Sequence, residues 1–233
     1  MLFYLIRHAD PIYNPDSITE LGKRQAEAVG KRLARYGIDE IYSSPMIRAR
    51  QTAEPLSEIL KKPVNIEDWA FECFDEFAVT TEENKKMFCM NYQGTKFLSD
   101  ENYPMFDNWF EMECLKTSKA KEGFERIKKS ADDFFSRQGY IREGRVYRIE
   151  KPNDKKIALF CHAGFASILI PYLLNVPPHI YWAGYDLSHS GVCVFRFKNF
   201  ESGYTSPKCL VHSDLSHLYA ENLPMKYNNL EYI

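Results

Sequence analysis

The chain has 233 residues, 45% of them hydrophobic and 27% charged, with a formal net charge of −2. That balance supports a sizeable core and fits one α/β domain with an insertion as well as two small units. It gives no sign of a broadly basic nucleic-acid face or of a polybasic membrane patch, so any bound anion must be held by a local cluster of positive groups. Six cysteines, at 73, 89, 114, 161, 193 and 209, form no CxxC pair, which argues for buried free thiols in a reducing cytosol rather than a zinc site or a redox dithiol. The start, MLFYLIRHAD, lacks a basic run and breaks its apolar stretch early. It reads as neither signal peptide nor membrane span, and a cytoplasmic location is expected.

Leu2–Ile6 is an unbroken apolar run that stops at Arg7-His8, the pattern of a buried parallel strand. Open α/β sheets bind ligands beyond the carboxyl ends of such strands, which puts Arg7 and His8 where a substrate sits. A solvated, idle Arg-His pair is the alternative on this dipeptide alone. Ala9–Ser17, with Pro11, Asn14 and Pro15, has turn chemistry. A helix is expected from about Ser17–Glu20, where S-x-x-E has capping-box spacing and Thr19 is a second candidate cap, to Gly37. Ile38–Ser43 reads as a strand. Ser44-Pro45 then reads as a helix start, with Ser44 as N-cap, and puts Arg48 in the first turn beside free backbone N–H groups. That helix runs to about Leu60, with Pro55 expected to bend it or mark its true beginning. Val64–Ile66 is a weak third strand.

From Ala78 to Lys119 the composition shifts to Met, Phe, Asn, Asp and Glu without steady periodicity. It reads as an insertion over one end of the sheet, either a lid whose Phe106, Trp109 and Phe110 cover a substrate or a packing extension. Lys121–Arg137 returns to helical spacing, and Gly139–Ile149 suggests a hairpin. Ile157–Cys161 is a second buried strand that ends in a histidine, and His162-Ala163-Gly164 opens a helix to Leu174. Gly191–Phe197 and Lys208–Val211 read as closing strands. The tail from Asp214 is assigned no chemistry.

Two buried strands thus end in histidine, and Arg48 stands at a helix N-terminus. Two histidines and two arginines converging above a sheet suit the grip of a phosphoryl group. Arginine forks bind phosphate oxygens, and a neutral imidazole attacks phosphorus. The charge of Arg7 should lower the pKa of His8 and keep it neutral. A metal site is disfavoured, because metal clusters want carboxylates or thiolates rather than arginines beside paired histidines. Among the other polar residues, His189 and His217 read as capping or surface histidines, with His189 the one that has a chance of lining the pocket. His179 and His212 read as surface residues, and Arg24 and Arg50 as solvated helix faces.

These motifs resemble the histidine phosphatase superfamily, also called phosphoglycerate mutase-like. Its R-H-G stands here as Arg7-His8-Ala9, and its L-T-x-x-G-x-x-Q-A as Ile18-Thr19-Glu20-Leu21-Gly22-Lys23-Arg24-Gln25-Ala26. Its S-S-P-x-x-R-A-x-x-T-A is intact from Ser43 to Ala53, and its H-G-G stands as His162-Ala163-Gly164. The resemblance implies a three-layer α/β/α sandwich with a mostly parallel central sheet and the inserted segment at 78–119, in a single domain over 1–233. It implies His8 as the phosphorylated nucleophile, with Arg7, Arg48 and His162 holding the phosphoryl oxygens and His162 part of the catalytic set. Asn14 matches an asparagine that follows the signature in several branches, which implies a part for it in holding phosphate. Glu72 falls where the family places its general acid, with Asp75, Glu76 and Asp10 close enough to be rivals for that role. The chain departs from the family at Ala9 and Ala163, which replace glycines. It also lacks the longer acid segment of true mutases and the H-D pair of the acid-phosphatase branch. The implied activity is a metal-independent, cofactor-free phosphomonoesterase acting on a small-molecule phosphomonoester, with no nucleic-acid or membrane partner. A cofactor-dependent phosphoglycerate mutase and a non-catalytic phosphate-binding regulatory protein are the alternatives. Neither the substrate nor the oligomeric state is legible.

Overall fold

The computed structural model describes residues 1–81, 83–101, 103, 107–227 and 231–232. Phe106 therefore lies outside the described residues. The central strand is β1 (Leu2–Arg7), followed by α1 (Glu20–Tyr36), β2 (Glu40–Ser43), α2 (Ile47–Leu60) and β3 (Val64–Ile66). After the insertion come α3 (Ala120–Arg137), β4 (Lys156–Cys161), α4 (Ala163–Leu174), α5 (Pro178–Gly184), β5 (Val192–Arg196) and β6 (Lys208–Asp214). The strands form one six-stranded sheet in the order β6-β5-β1-β4-β2-β3. β1, β4, β2 and β3 are mutually parallel, and β5 runs antiparallel to both β1 and β6.

The apolar run of β1 resolves into two faces with period 2. Tyr4 and Ile6, with Ala158 and Phe160 of β4, meet Val29, Leu33, Ala53 and Leu56 of α1 and α2. Phe3 and Leu5, with Ile157 and Leu159, face Phe134, Phe135, Phe165 and Ile168 of α3 and α4. The chain is thus a three-layer α/β/α sandwich. Phe3 meets Phe135 edge-on at 5.2 Å, and each such buried ring contributes about 1.5–3 kcal/mol.

Several local expectations change. The segment after His8 is a small hairpin, Pro11–Tyr13 with Asp16–Ile18, rather than a plain loop. Thr19 is the cap of α1, accepting from the Gly22 N–H at 3.0 Å. Ser44 is not the cap of α2, because that helix begins at Ile47 and its first N–H donates to Asp16 Oδ2 of the hairpin at 2.8 Å. Pro55 sits inside α2 without ending it. Within 78–119 the chain forms a hairpin (Ala78–Thr80 with Lys86–Phe88) and short helical turns. Trp109 is buried against Trp182 and Phe124 in the main core. His179 and His217 are buried, not surface residues. Arg24 and Arg50 are exposed.

Candidate active site

Strand register builds the site. Arg7 pairs with Cys161 across the parallel β1–β4 ladder, so the next residues, His8 and His162, emerge side by side at the carboxyl ends. The His8 N–H donates to the Cys161 carbonyl at 2.8 Å, and the two imidazole centroids lie 5.2 Å apart. β2 ends one strand further over, and the Ser44 N–H donates to the Phe160 carbonyl at 2.9 Å. Because β5 is antiparallel to β1, the loop before it arrives at this same end. There the Ser190 N–H donates to the His8 carbonyl at 3.1 Å. That topology brings in His189, whose ring lies 5.5 Å from that of His8.

Protonation follows from these partners. Nδ1 of His8 is 2.8 Å from the Ala9 carbonyl, which can only accept, so the ring hydrogen sits on Nδ1 and Nε2 keeps its lone pair. His8 is 1% exposed, and burial, then the charge of Arg7, then His162 hold its pKa well below the ordinary imidazole value. Burial, then Arg48 and Arg7, do the same for His162. Nε2 of His162 is engaged by the Ser44 hydroxyl at 2.7 Å. That hydroxyl also accepts from the Met46 N–H at 3.3 Å, so it can give its proton to the imidazole and leave the ring hydrogen on Nδ1. The hydroxyl expected to cap a helix instead orients a histidine.

The arginines are held by different devices. Arg7 donates to the Leu187 carbonyl, and its Nη2 donates to His189 Nε2 at 2.8 Å. His189 consequently carries its hydrogen on Nδ1, 3.8 Å from an Asp10 carboxylate oxygen. Arg48, 4% exposed, pairs with Asp16 at 2.7 Å beneath the Tyr13 ring. Arg48 Nε and His162 Nδ1 are buried with no hydrogen-bond partner among the described residues. Two such donors would each cost about 1–3 kcal/mol unmet, a cost that an oxyanion accepting from both would relieve.

The four carboxylates considered for proton transfer separate cleanly. Glu76 is taken by a two-pronged ion pair with Arg126, both contacts at 2.6 Å. Asp75 is exposed and lies on a different cavity. Glu72 and Asp10 both line a cavity of about 400 Å³ together with Arg7 and His189. Glu72 Oε1 accepts from the Phe165 N–H at 3.2 Å, at the start of α4. Gly164 makes room for it, since a Cβ there would stand 2.4 Å from Glu72 Oε1. Burial raises the Glu72 pKa against the opposing pull of Arg48, Arg7 and that N–H. Asp10 is tethered by the Thr19 hydroxyl at 2.6 Å, and its N–H donates to Gln25 at 2.8 Å.

Asn14 is exposed at the turn of the hairpin and does not line the cavity; Tyr13 and Asp16 are the hairpin residues that reach Arg48. From the insertion, Phe88, Met90 and Asn91 line the cavity, whereas Trp109 and Phe110 border a separate one. Residues missed in the sequence are Ser44 as the partner of His162 and Asp16 as the partner of Arg48, while His189, read as a capping or surface histidine with a chance of lining the pocket, does line it. A signal for His189 existed, since Ser188-His189-Ser190-Gly191 directly precedes a closing strand. Among the described residues no group of three His, Cys, Asp or Glu is placed to hold a metal ion, and no helix is long and apolar enough to cross a membrane.

The fold is a mostly parallel α/β sheet with paired histidines and two buried arginines gathered at its carboxyl edge, a donor-rich cluster whose chemistry suits an oxyanion. The chain belongs to the histidine phosphatase superfamily (branch 1), whose family model matches residues 3–205. Phosphoserine phosphatase 1 of Hydrogenobacter thermophilus is 35% identical over 77 residues, which are 29% of this chain and 36% of that protein. A second protein of that organism, provisionally named phosphoserine phosphatase 2, is 28% identical over 142 residues, 56% of this chain and 63% of the other. The chain thus spans less than two thirds of the length of these curated relatives. The structure of phosphoserine phosphatase from Entamoeba histolytica in complex with 3-phosphoglyceric acid aligns with a TM-score of 0.60 at 20% identity, covering 93% of this chain and 98% of that one. Mycobacterial glucosyl-3-phosphoglycerate phosphatase aligns with a TM-score of 0.62 at 16% identity, covering 92% and 99%. At these identities the structural likeness is one of fold.

Proposed function

We propose that the protein is a phosphomonoesterase that passes the phosphoryl group of a small-molecule ester to His8 and then to water, with no metal ion. One observation carries this reading. The Nδ1–H of His8 is tied to the Ala9 carbonyl, so a neutral Nε2 lone pair stands ready among the positive groups of Arg7 and Arg48. In the first step Nε2 forms a bond to phosphorus as the P–O ester bond breaks, and Glu72 gives its proton to the departing alkoxide. In the second, water gives a proton to the Glu72 carboxylate and its oxygen bonds to phosphorus. The P–N bond breaks, returning His8 and releasing phosphate. Arg7, Arg48 and the Nδ1–H of His162 hold the equatorial oxygens, which supplies the positive charge that a metal provides elsewhere. A raised Glu72 pKa suits an acid that must be protonated at the start of the cycle, worth roughly 10²–10⁴-fold in rate.

The test is a rapid alkaline quench after brief incubation with phosphorus-labelled substrate. An acid-labile, base-stable phosphoenzyme should form in the wild type and be absent in His8→Ala, with turnover unchanged by exhaustive chelation. Label trapped in His8→Ala, or activity lost to chelation and restored by a divalent ion, overturns the mechanism.

A further inference from the structure

The two ends of the active-site cavity differ in chemistry. At one end stand Arg7 and His189, with the His8 ring 5.5 Å behind that of His189. The remaining wall comes from α5 and the loop after it, with Tyr181, Trp182, Tyr185 and Asp186, and from Phe88 and Met90 of the insertion. The Tyr181 and Tyr185 rings lie parallel within 8°, their centroids 5.2 Å apart. Their neighbours use up polar atoms: the Tyr181 hydroxyl is 2.7 Å from His212 Nε2, and the Trp182 N–H donates to the Ser167 carbonyl at 3.0 Å. What Tyr181 and Trp182 add to the cavity is therefore chiefly ring surface, and Tyr185 adds its ring together with its hydroxyl. Two carboxylates, Asp10 and Asp186, share the wall, Asp186 being fixed by the Leu187 N–H at 2.7 Å. Among the described residues that line the cavity, Arg7 is the sole Lys or Arg, and in the phosphatase reading it is taken by the phosphoryl group.

We infer, on the basis of that reading, that the alcohol half of the substrate carries an organic cation, so that the substrate class is the phosphomonoester of an amino alcohol. Ring faces and carboxylates both attract an ammonium group, whether primary or quaternary. Asp186 lies within electrostatic reach of Arg7 and His212, and Asp10 within 3.8 Å of His189 Nδ1. With Arg7 engaged by the phosphoryl group, a second anion on the substrate, such as the carboxylate of a phosphoglycerate or a second phosphate, would meet these two carboxylates without a further lysine or arginine in the cavity wall. The same wall that accepts the cation rejects the anion, so selectivity arises from both signs of the interaction. It also disfavours a phosphoamino acid relative to the corresponding amino alcohol, because only the former brings a carboxylate.

The experiment compares kcat/KM of the wild-type protein for choline phosphate against its uncharged isostere, 3,3-dimethylbutyl phosphate. Ethanolamine phosphate is compared against propyl phosphate, with phosphoserine, 3-phosphoglycerate and nitrophenyl phosphate run alongside. The cationic ester should exceed its isostere by about 10-fold or more, and 3-phosphoglycerate and phosphoserine should fall below both amino-alcohol esters. A larger ratio for the choline pair assigns the site to a quaternary ammonium on the rings. A larger ratio for the ethanolamine pair assigns it to a primary ammonium on the carboxylates. In Asp186→Asn and Tyr185→Ala the ratio itself should shrink by about fivefold, a readout that cancels any general loss of turnover. Ratios near one, or a preference for 3-phosphoglycerate or phosphoserine, overturn the inference while leaving the phosphatase reading standing. No turnover of any ester, nitrophenyl phosphate included, overturns both.

Discussion

Replacing His217 with glutamine should remove about 2 kcal/mol of acid sensitivity from the fold between pH 7 and pH 5. His217 is 3% exposed, in the short helix Ser216–Ala220 that follows β6. Its Nδ1 lies 3.4 Å from Arg32 Nη1 and its Nε2 3.0 Å from the Ser190 hydroxyl. A guanidinium can only donate, so the ring is neutral, with its hydrogen on Nε2. Burial first, then the charge of Arg32, lowers its pKa to about 3 despite the nearby Asp214. The unfolded chain binds that proton at about 6.5, so the folded state is the one that excludes it. Stabilisation is therefore complete above pH 6.5 and lost as pH falls towards 3, at about 1.4 kcal/mol per unit inside that window. Between pH 7 and 5 only about 1.5 units lie inside it, which yields the figure of about 2 kcal/mol. His8 and His162 are also held neutral, so the wild type should lose more than this in total. The difference between wild type and His217→Gln isolates the one group. Urea unfolding of both proteins at both pH values provides the four free energies. Equal acid losses in the two proteins would show that His217 does not stay neutral in the fold.

Glu72→Gln should cripple hydrolysis of alkyl phosphates by roughly 10²–10⁴-fold, largely spare nitrophenyl phosphate, and abolish the basic limb of the pH–rate profile. Uniform losses across leaving groups would assign Glu72 to pocket structure, and the same signature in Asp10→Asn would move the role there. Ser44→Ala should cost about 1–3 kcal/mol in chemical denaturation, because it leaves His162 Nε2 buried and unmet, and should lower kcat about tenfold; wild-type kcat would mean that His162 needs no such orientation. Gly164→Ala puts a methyl group 2.4 Å from Glu72 Oε1 and 3.0 Å from the Phe88 ring. It should reduce alkyl phosphate turnover more than nitrophenyl phosphate turnover, and unchanged rates on both would place the working carboxylate elsewhere.

The convergence of Arg7, His8, Arg48 and His162 at one end of the sheet was largely legible in the sequence because each part is announced locally. Apolar runs that stop at Arg7-His8 and at His162 mark strand ends, and strand ends in an open sheet are where ligands bind. Arg48, three residues after Pro45, needed only a helix start nearby to be placed, and it reaches the first turn of α2 even though that helix begins at Ile47. The sandwich was implied by the family resemblance, and strands and helices alternating along the chain agree with it. The Cys161–His162 and Arg7–His8 steps meet because parallel pairing puts them in register, and that register depends on the crossover between them rather than on either strand alone.

What stayed hidden depends on partners distant in sequence. Ser44 before Pro45 has every local mark of a helix cap, yet its hydroxyl goes to His162, 118 positions away, while Asp16 takes the helix N–H. Glu72 is set apart from Glu76 in the sequence only by the family resemblance, with no local feature to separate them. They part physically when Arg126 on α3 closes on Glu76 and the Phe165 N–H on α4 meets Glu72. The insertion divides between the two readings given for it, because Trp109 spends its ring on the core against Trp182 while Phe88 and Met90 line the cavity. The far wall is thus assembled from Phe88 and Met90 and from the segment after α4, pieces that share no period and no motif. A phosphoryl group is the same in every ester, so a few residues at fixed strand ends suffice to grip it and their spacing can be read directly. The alcohol half differs from substrate to substrate, and the wall that must fit it is drawn from segments whose meeting only the folded chain decides.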